Sequence, residues 1–83
     1  MKTLKYYAQI IYTIDKNHPD IKYIDGWEKG KIYTFEDVYT FNDNYGYTKE
    51  DIISHIKNDL KLVAGGGYNS KHIHNVKFNI KKI

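Results

Sequence analysis

Two hydrophobic periods run along this chain, and their order predicts its architecture. From Leu4 to Ile14 the even positions are Leu4, Tyr6, Ala8, Ile10, Tyr12 and Ile14, while Lys5, Tyr7, Gln9, Ile11 and Thr13 take the odd ones. Side chains alternate across a strand, so this is a β-strand with a strongly specified register. Asp15 to Asp20 is rich in turn formers and contains Pro19, which has no N–H for a ladder, so the chain reverses there. Ile21 to Trp27 reads as a second, less regular strand, with Asp25-Gly26 marking a bulge or an early end and a turn at Glu28-Lys29-Gly30. Lys31 to Phe41 reads as a third, with Tyr33, Phe35, Tyr39 and Phe41 on one parity. Asp37 falls on that same parity, and burying an unpaired carboxylate is expensive, so Glu36-Asp37 is expected to mark a bulge, an exposed strand end or a tight turn.

The period then changes from two to 3.6. Ile52, Ile53, Ile56, Leu60 and Val63 form one apolar helical stripe, with Glu50, Ser54, Lys57, Asn58 and Lys61 mostly opposite. Thr48 is placed as N-cap, with Asp51 three residues on completing a capping-box pattern. Gly65-Gly66-Gly67 stops the helix near Ala64 in a Schellman-type turn. Phosphate-binding glycine loops precede a helix, whereas these follow one. Beyond them His72, His74, Val76, Phe78 and Ile80 alternate with polar positions, which predicts a last strand with one apolar face.

The order β-β-β-α-β implies a two-layer α+β domain spanning residues 1–83, a mostly antiparallel sheet with one helix across one face. A helical crossover sets the last strand parallel to a neighbour, beside either the third strand or the first; the first is favoured for its long clean alternation.

Composition narrows the function classes. Cysteine is absent, which removes disulfides, thiol nucleophiles and thiolate metal sites, and no apolar run is long enough for a membrane span or signal peptide. A cytoplasmic location is expected. The formal charge of +3 comes from thirteen lysines and no arginine against ten carboxylates. Without the guanidinium fork, sequence-specific DNA reading is disfavoured, while weak, salt-sensitive phosphate attraction stays open to lysine.

Candidate chemistry is sparse. His72 and His74 would point to one side of a strand, one way to begin a metal site, with His18, His55 or Asp15 as a third ligand. Two ligands do not make a site, and the favoured reading places both at the start of a strand, so neither metal nor cofactor is expected. Asp15-x-Asn17-x-x-Asp20 lacks the glycine and glutamate of a calcium loop, and Ser54 and Ser70 sit in no nucleophile elbow. An enzyme is not expected. The residue type in excess is aromatic, with nine tyrosines, three phenylalanines and one tryptophan. Tyrosine combines a rigid face with a polar tip and is favoured at interfaces. Tyr6 and Tyr12 belong to the core face of the first strand, whereas Tyr7 and Ile11 point oppositely, and Tyr45, Tyr47 and Tyr68 lie in loops around the helix ends. These five are the candidate partner-binding residues. If the helix covers one face, the other carries Tyr7, Ile11, Ile32 and Val38 as an exposed apolar band, suited to self-association or a protein partner.

The small β-β-β-α-β frame, the helix ending in LKLVAGGGYNS and the strand HIHNVKFNI resemble, in type, short proteins of bacteriophages and mobile elements of AT-rich bacteria, of the anti-CRISPR or anti-defence kind. The resemblance spans most of the chain, rests on no defining motif and transfers no functional residue. It implies a stoichiometric inhibitor that binds a bacterial nuclease complex in the host cytoplasm. Acidic mimicry of nucleic acid is not implied, since this chain is basic. Three readings follow: a non-catalytic protein that binds a protein or ribonucleoprotein complex, a nucleic-acid-binding module using Lys5, Lys22, Lys31, Lys77, Lys81 and Lys82 with exposed tyrosines, and a small metal or nucleotide binder around His72 and His74.

Overall fold

The computed structural model of the chain describes residues 3–42, 46–67 and 71–83. The elements run β1 (Thr3–Ile14), a short 3-10 turn (Ile21–Tyr23), β2 (Ile32–Asn42), α1 (Lys49–Ala64) and β3 (Ile73–Lys82). The sheet order is β2-β1-β3, with β1 central and antiparallel to both neighbours, and α1 packed across one face. This is the expected two-layer α+β arrangement. The last strand does pair with the first, but antiparallel to it; β2 and β3 run parallel to each other with β1 between them.

Two expectations are corrected. The segment Ile21–Trp27 is not a strand but part of a long connection, so the order is β-β-α-β. Its apolar residues Ile21, Ile24 and Trp27, which pack against the core, recur every third position. That spacing suits a 3-10 turn and laps the edge of a core instead of lining a sheet face. Glu36-Asp37 makes neither a bulge nor a turn: the β1–β2 register runs unbroken from Ile32 to Asn42. Asp37 shares the helix-covered side, yet as an edge-strand residue opposite the small Ala8 it stays exposed.

The helix forms where capping, charge and stripe agree. The Thr48 hydroxyl accepts from the Asp51 N–H at 3.1 Å, and the Asp51 carboxylate accepts from the Thr48 N–H at 3.3 Å. Its termination is a Schellman turn: Gly66 N–H bonds the Val63 carbonyl at 3.2 Å and Gly67 N–H the Leu62 carbonyl at 2.8 Å. Gly66 has φ +79°, and a Cβ there would lie 2.7 Å from Pro19 Cγ, so the helix end and the β1–β2 connection touch at a point that admits only glycine. Beside it the buried His18 accepts the Asp20 N–H on Nδ1 at 3.1 Å, which leaves Nε2 to donate to the Ala64 carbonyl at 2.6 Å. One of the orphan carbonyls of the helix end is thereby satisfied from outside.

Ile52, Ile56, Leu60 and Ala64 form the buried stripe; Val63 is 47% exposed and does not belong to it. They meet Tyr6, Ala8, Ile10, Ile14 and Ile73. Burying an isoleucine or leucine side chain stabilises by about 1.5–3 kcal/mol, and a lone helix of this length is marginal in water, so the packed stripe holds the helix. Among the described residues no helix is long and apolar enough to cross a membrane.

Candidate functional site

The face of the sheet turned away from α1 carries no helix or further strand among the described residues. At its Thr13 end, where Thr13 is buried, it adjoins the β1–β2 connection through Trp27, Lys29 and Gly30. Reading across β2, β1 and β3, the register sets Thr40 beside Lys5, Val38 beside Tyr7 and Lys81, Glu36 beside Gln9 and Asn79, and Thr34 beside Ile11 and Lys77. Ile32, Thr13 and His74 form the last row. The exposed apolar residues stand on β2, with Ile32 68% and Val38 51% exposed among Thr34, Glu36 and Thr40, and the β3 side carries the cations Lys77 and Lys81. Between them the Tyr7 hydroxyl donates to Glu36 Oε2 at 2.5 Å and the Asn79 amide to Gln9 Oε1 at 3.0 Å. The Glu36 bond, with smaller contributions from burial and the carboxylate's charge, holds the Tyr7 hydroxyl pKa above 10.0. These bonds orient the Tyr7, Glu36, Gln9 and Asn79 side chains in advance, and side chains already oriented lose less freedom on binding.

The five partner-binding candidates do not come together. Tyr7 and Ile11 lie one row apart from the central row of the open face, both half-buried. Tyr47 lies elsewhere: its ring packs edge-on at 6.3 Å against Phe41, which belongs to the covered side and also meets Tyr6 and His55. Tyr45 and Tyr68 lie outside the described residues. The lysines divide similarly. Lys5, Lys77 and Lys81 stand on the open face, Lys82 pairs with Tyr6 on the covered side, Lys22 lies over the Tyr23 ring and Lys31 over the Tyr33 ring. No single surface gathers all six.

The last strand contains what sequence periodicity did not show. Tyr12 on β1 faces two residues of β3, Asn75 and Val76, so β3 is bulged there, with Asn75 at φ +54°. Asparagine tolerates that left-handed geometry better than most residues. Thr13 pins the bulge, its hydroxyl donating to the His74 carbonyl at 3.2 Å and accepting from the Asn75 amide at 3.2 Å. The bulge shifts parity by one: Ile73, not His72 and His74, shares the core side with Val76, Phe78 and Ile80.

The two histidines therefore point to the open side, where both reach Asp15. His74 Nε2 donates to Oδ2 at 2.8 Å, His72 Nδ1 lies 3.1 Å from Oδ1, and the Asn17 N–H bonds Oδ1 at 2.8 Å. The His74 hydrogen bond foremost, with help from Asn17 and His72 and against partial burial, draws the Asp15 pKa from 3.8 down to about 2. The carboxylate sits between the rings as a clamp joining the end of β1 to the start of β3. No group of three or more ligating side chains able to hold a metal ion occurs among the described residues. Adjoining the clamp is a cavity of about 540 Å³ bounded by the β1–β2 connection through Trp27, Lys29 and Gly30. A shallower one of about 290 Å³ continues from it over Ile11 and Lys77.

On the covered side, Tyr39 donates to Asp59 Oδ2 at 2.6 Å; burial and then this carboxylate push the Tyr39 hydroxyl upward in pKa, so it is a structural strut from β2 to α1. Comparison of the chain with known protein families, curated proteins and solved structures finds no match.

Proposed function

We propose that this chain is a non-catalytic binding protein that docks through the open sheet face onto a partner protein, alone or within a ribonucleoprotein complex. The observation that carries the reading is the uncovered band of Val38, Tyr7, Ile11 and Ile32, bordered on the β3 side by Lys77 and Lys81 and beyond Tyr7 by Lys5. A complementary surface offers apolar contacts on either side of the polar Glu36–Gln9–Asn79 row and is acidic along the β3 border, since matched potentials steer association and fix register. The resemblance to anti-defence proteins makes a bacterial nuclease complex in the cytoplasm the first partner to test, with the chain acting as a stoichiometric inhibitor.

A second reading, binding to single-stranded nucleic acid, is favoured by the same three lysines standing beside Tyr7, because cations tracking a backbone and an aromatic face for bases are its usual means. Only one aromatic residue stands on this face, which ranks it second.

The test is size-exclusion chromatography and calorimetry of the chain with purified CRISPR and restriction nuclease complexes. Docking predicts a stoichiometric complex that Ile11→Glu abolishes and that Leu62→Lys, which removes a more exposed apolar side chain from the helix, leaves intact. Retention of the complex by Ile11→Glu overturns the docking face. Gel shifts across a salt series decide the second reading: affinity for single strands that falls steeply with salt and is lost in Lys77→Glu would put nucleic acid first.

A further inference from the structure

The cavity beside the Asp15 clamp has a composition that the docking face does not explain. Its walls come from the sheet end and from the β1–β2 connection, and they bring together Trp27, Ile14, Lys16, Lys29 and His74. At about 540 Å³ it lies within the usual range of small-molecule sites, roughly 300–1,000 Å³. Asp15 is the one carboxylate in this lining, and its oxygens are engaged by His72, His74 and the Asn17 N–H. The lysines are different. Neither Lys16 nor Lys29 has an ion-pair partner among the described residues. The local charge is therefore positive, and it stands beside the chain's single indole.

We propose that this cavity binds a mononucleotide unit, its base against Trp27 and its phosphate between the ammonium groups of Lys16 and Lys29. A planar ring gains from an aromatic wall whichever base it is, and a phosphate dianion gains from two lysines that have no ion-pair partner among the described residues. His74, which also lines the cavity, is held in place by Asp15 through Nε2. A free nucleotide and the phosphorylated end of a nucleic-acid strand offer the same chemistry; for a strand end, the shallower cavity over Ile11 and Lys77 would continue the path.

Because Trp27 is the only tryptophan, its fluorescence and its indole N–H resonance report this cavity without background. The full chain is titrated with AMP, adenosine, inorganic phosphate and a 5′-phosphorylated dinucleotide. The expected result is a saturable indole shift with AMP, binding at least about tenfold weaker for adenosine and for phosphate alone, and a loss of at least about tenfold in Lys29→Glu. Tyr7→Ala, on the docking face, binds AMP as the wild type does, so the two proposals stand or fall separately. Tighter binding of the dinucleotide assigns a strand end; equal binding assigns the free nucleotide. No saturable shift with AMP or dinucleotide up to about 10 mM, phosphate binding as tight as AMP, or undiminished binding by a folded Lys29→Glu overturns the site.

Discussion

The two faces of one strand, β1, have opposite characters. On the covered face Tyr6, Ala8, Ile10 and Ile14 are buried under α1; on the open face Lys5, Tyr7, Gln9 and Ile11 keep part of their surface in water. Both faces carry isoleucine and tyrosine, so residue type alone does not distinguish them. What separates them is the partner: the covered face meets an apolar helical stripe, while the open face meets no helix or further strand among the described residues and adjoins the β1–β2 connection only at its Ile11–Thr13 end. Stability is therefore assigned to the covered side, and the recognition proposed above falls to the other.

The largest effect that sharpens this contrast is expected in the helix. Leu60→Ala, which empties a fully buried position, should cost about 2–5 kcal/mol in urea unfolding, since transfer and cavity terms add. A smaller loss, about 1–2 kcal/mol from left-handed backbone, is expected for Gly66→Ala and Gly67→Ala alike. Only Gly66→Ala adds the clash with Pro19, since a Cβ at Gly67 meets nothing within 4 Å, so equal losses in the two would deny that the connection is pressed against the helix end.

The smallest effect concerns the Asp15 clamp. A carboxyl whose folded pKa is depressed from 3.8 to about 2 contributes stability that is present above 3.8 and is lost as pH falls through about 2. Acid titration of the unfolding midpoint should show a steeper decline for the wild type than for Asp15→Asn across that window. Parallel curves would mean that the clamp contributes nothing.

The elements that were legible in the sequence are those where several local signals agreed. Thr48 with Asp51, the acidic first turn and the glycines bounded α1 to within a residue or two, and the clean alternation of β1 correctly made it central and gave both of its faces. The rest was not legible because tertiary context decides it. Asp37 forbids a buried strand but not an edge strand. Ile21, Ile24 and Trp27 announced a turn period that alternation could not read. The Asn75 bulge left no trace in periodicity, and so the meeting of His72 and His74 with Asp15, a residue nearly sixty positions away, was raised as a combination without a geometry. His18, a candidate third ligand by residue type, instead serves the backbone at Asp20 and Ala64 with its two ring nitrogens.

Ile10 and Ile11 are adjacent residues of one type on opposite faces of the central strand, fully buried and half-buried respectively. Urea unfolding of Ile10→Ala and Ile11→Ala tests the division of labour between the faces most directly. Ile10→Ala is expected to lose about 2–5 kcal/mol and Ile11→Ala about 1 kcal/mol or less. Equal losses would contradict it, because Ile11 would then be a member of the core and unavailable to a partner.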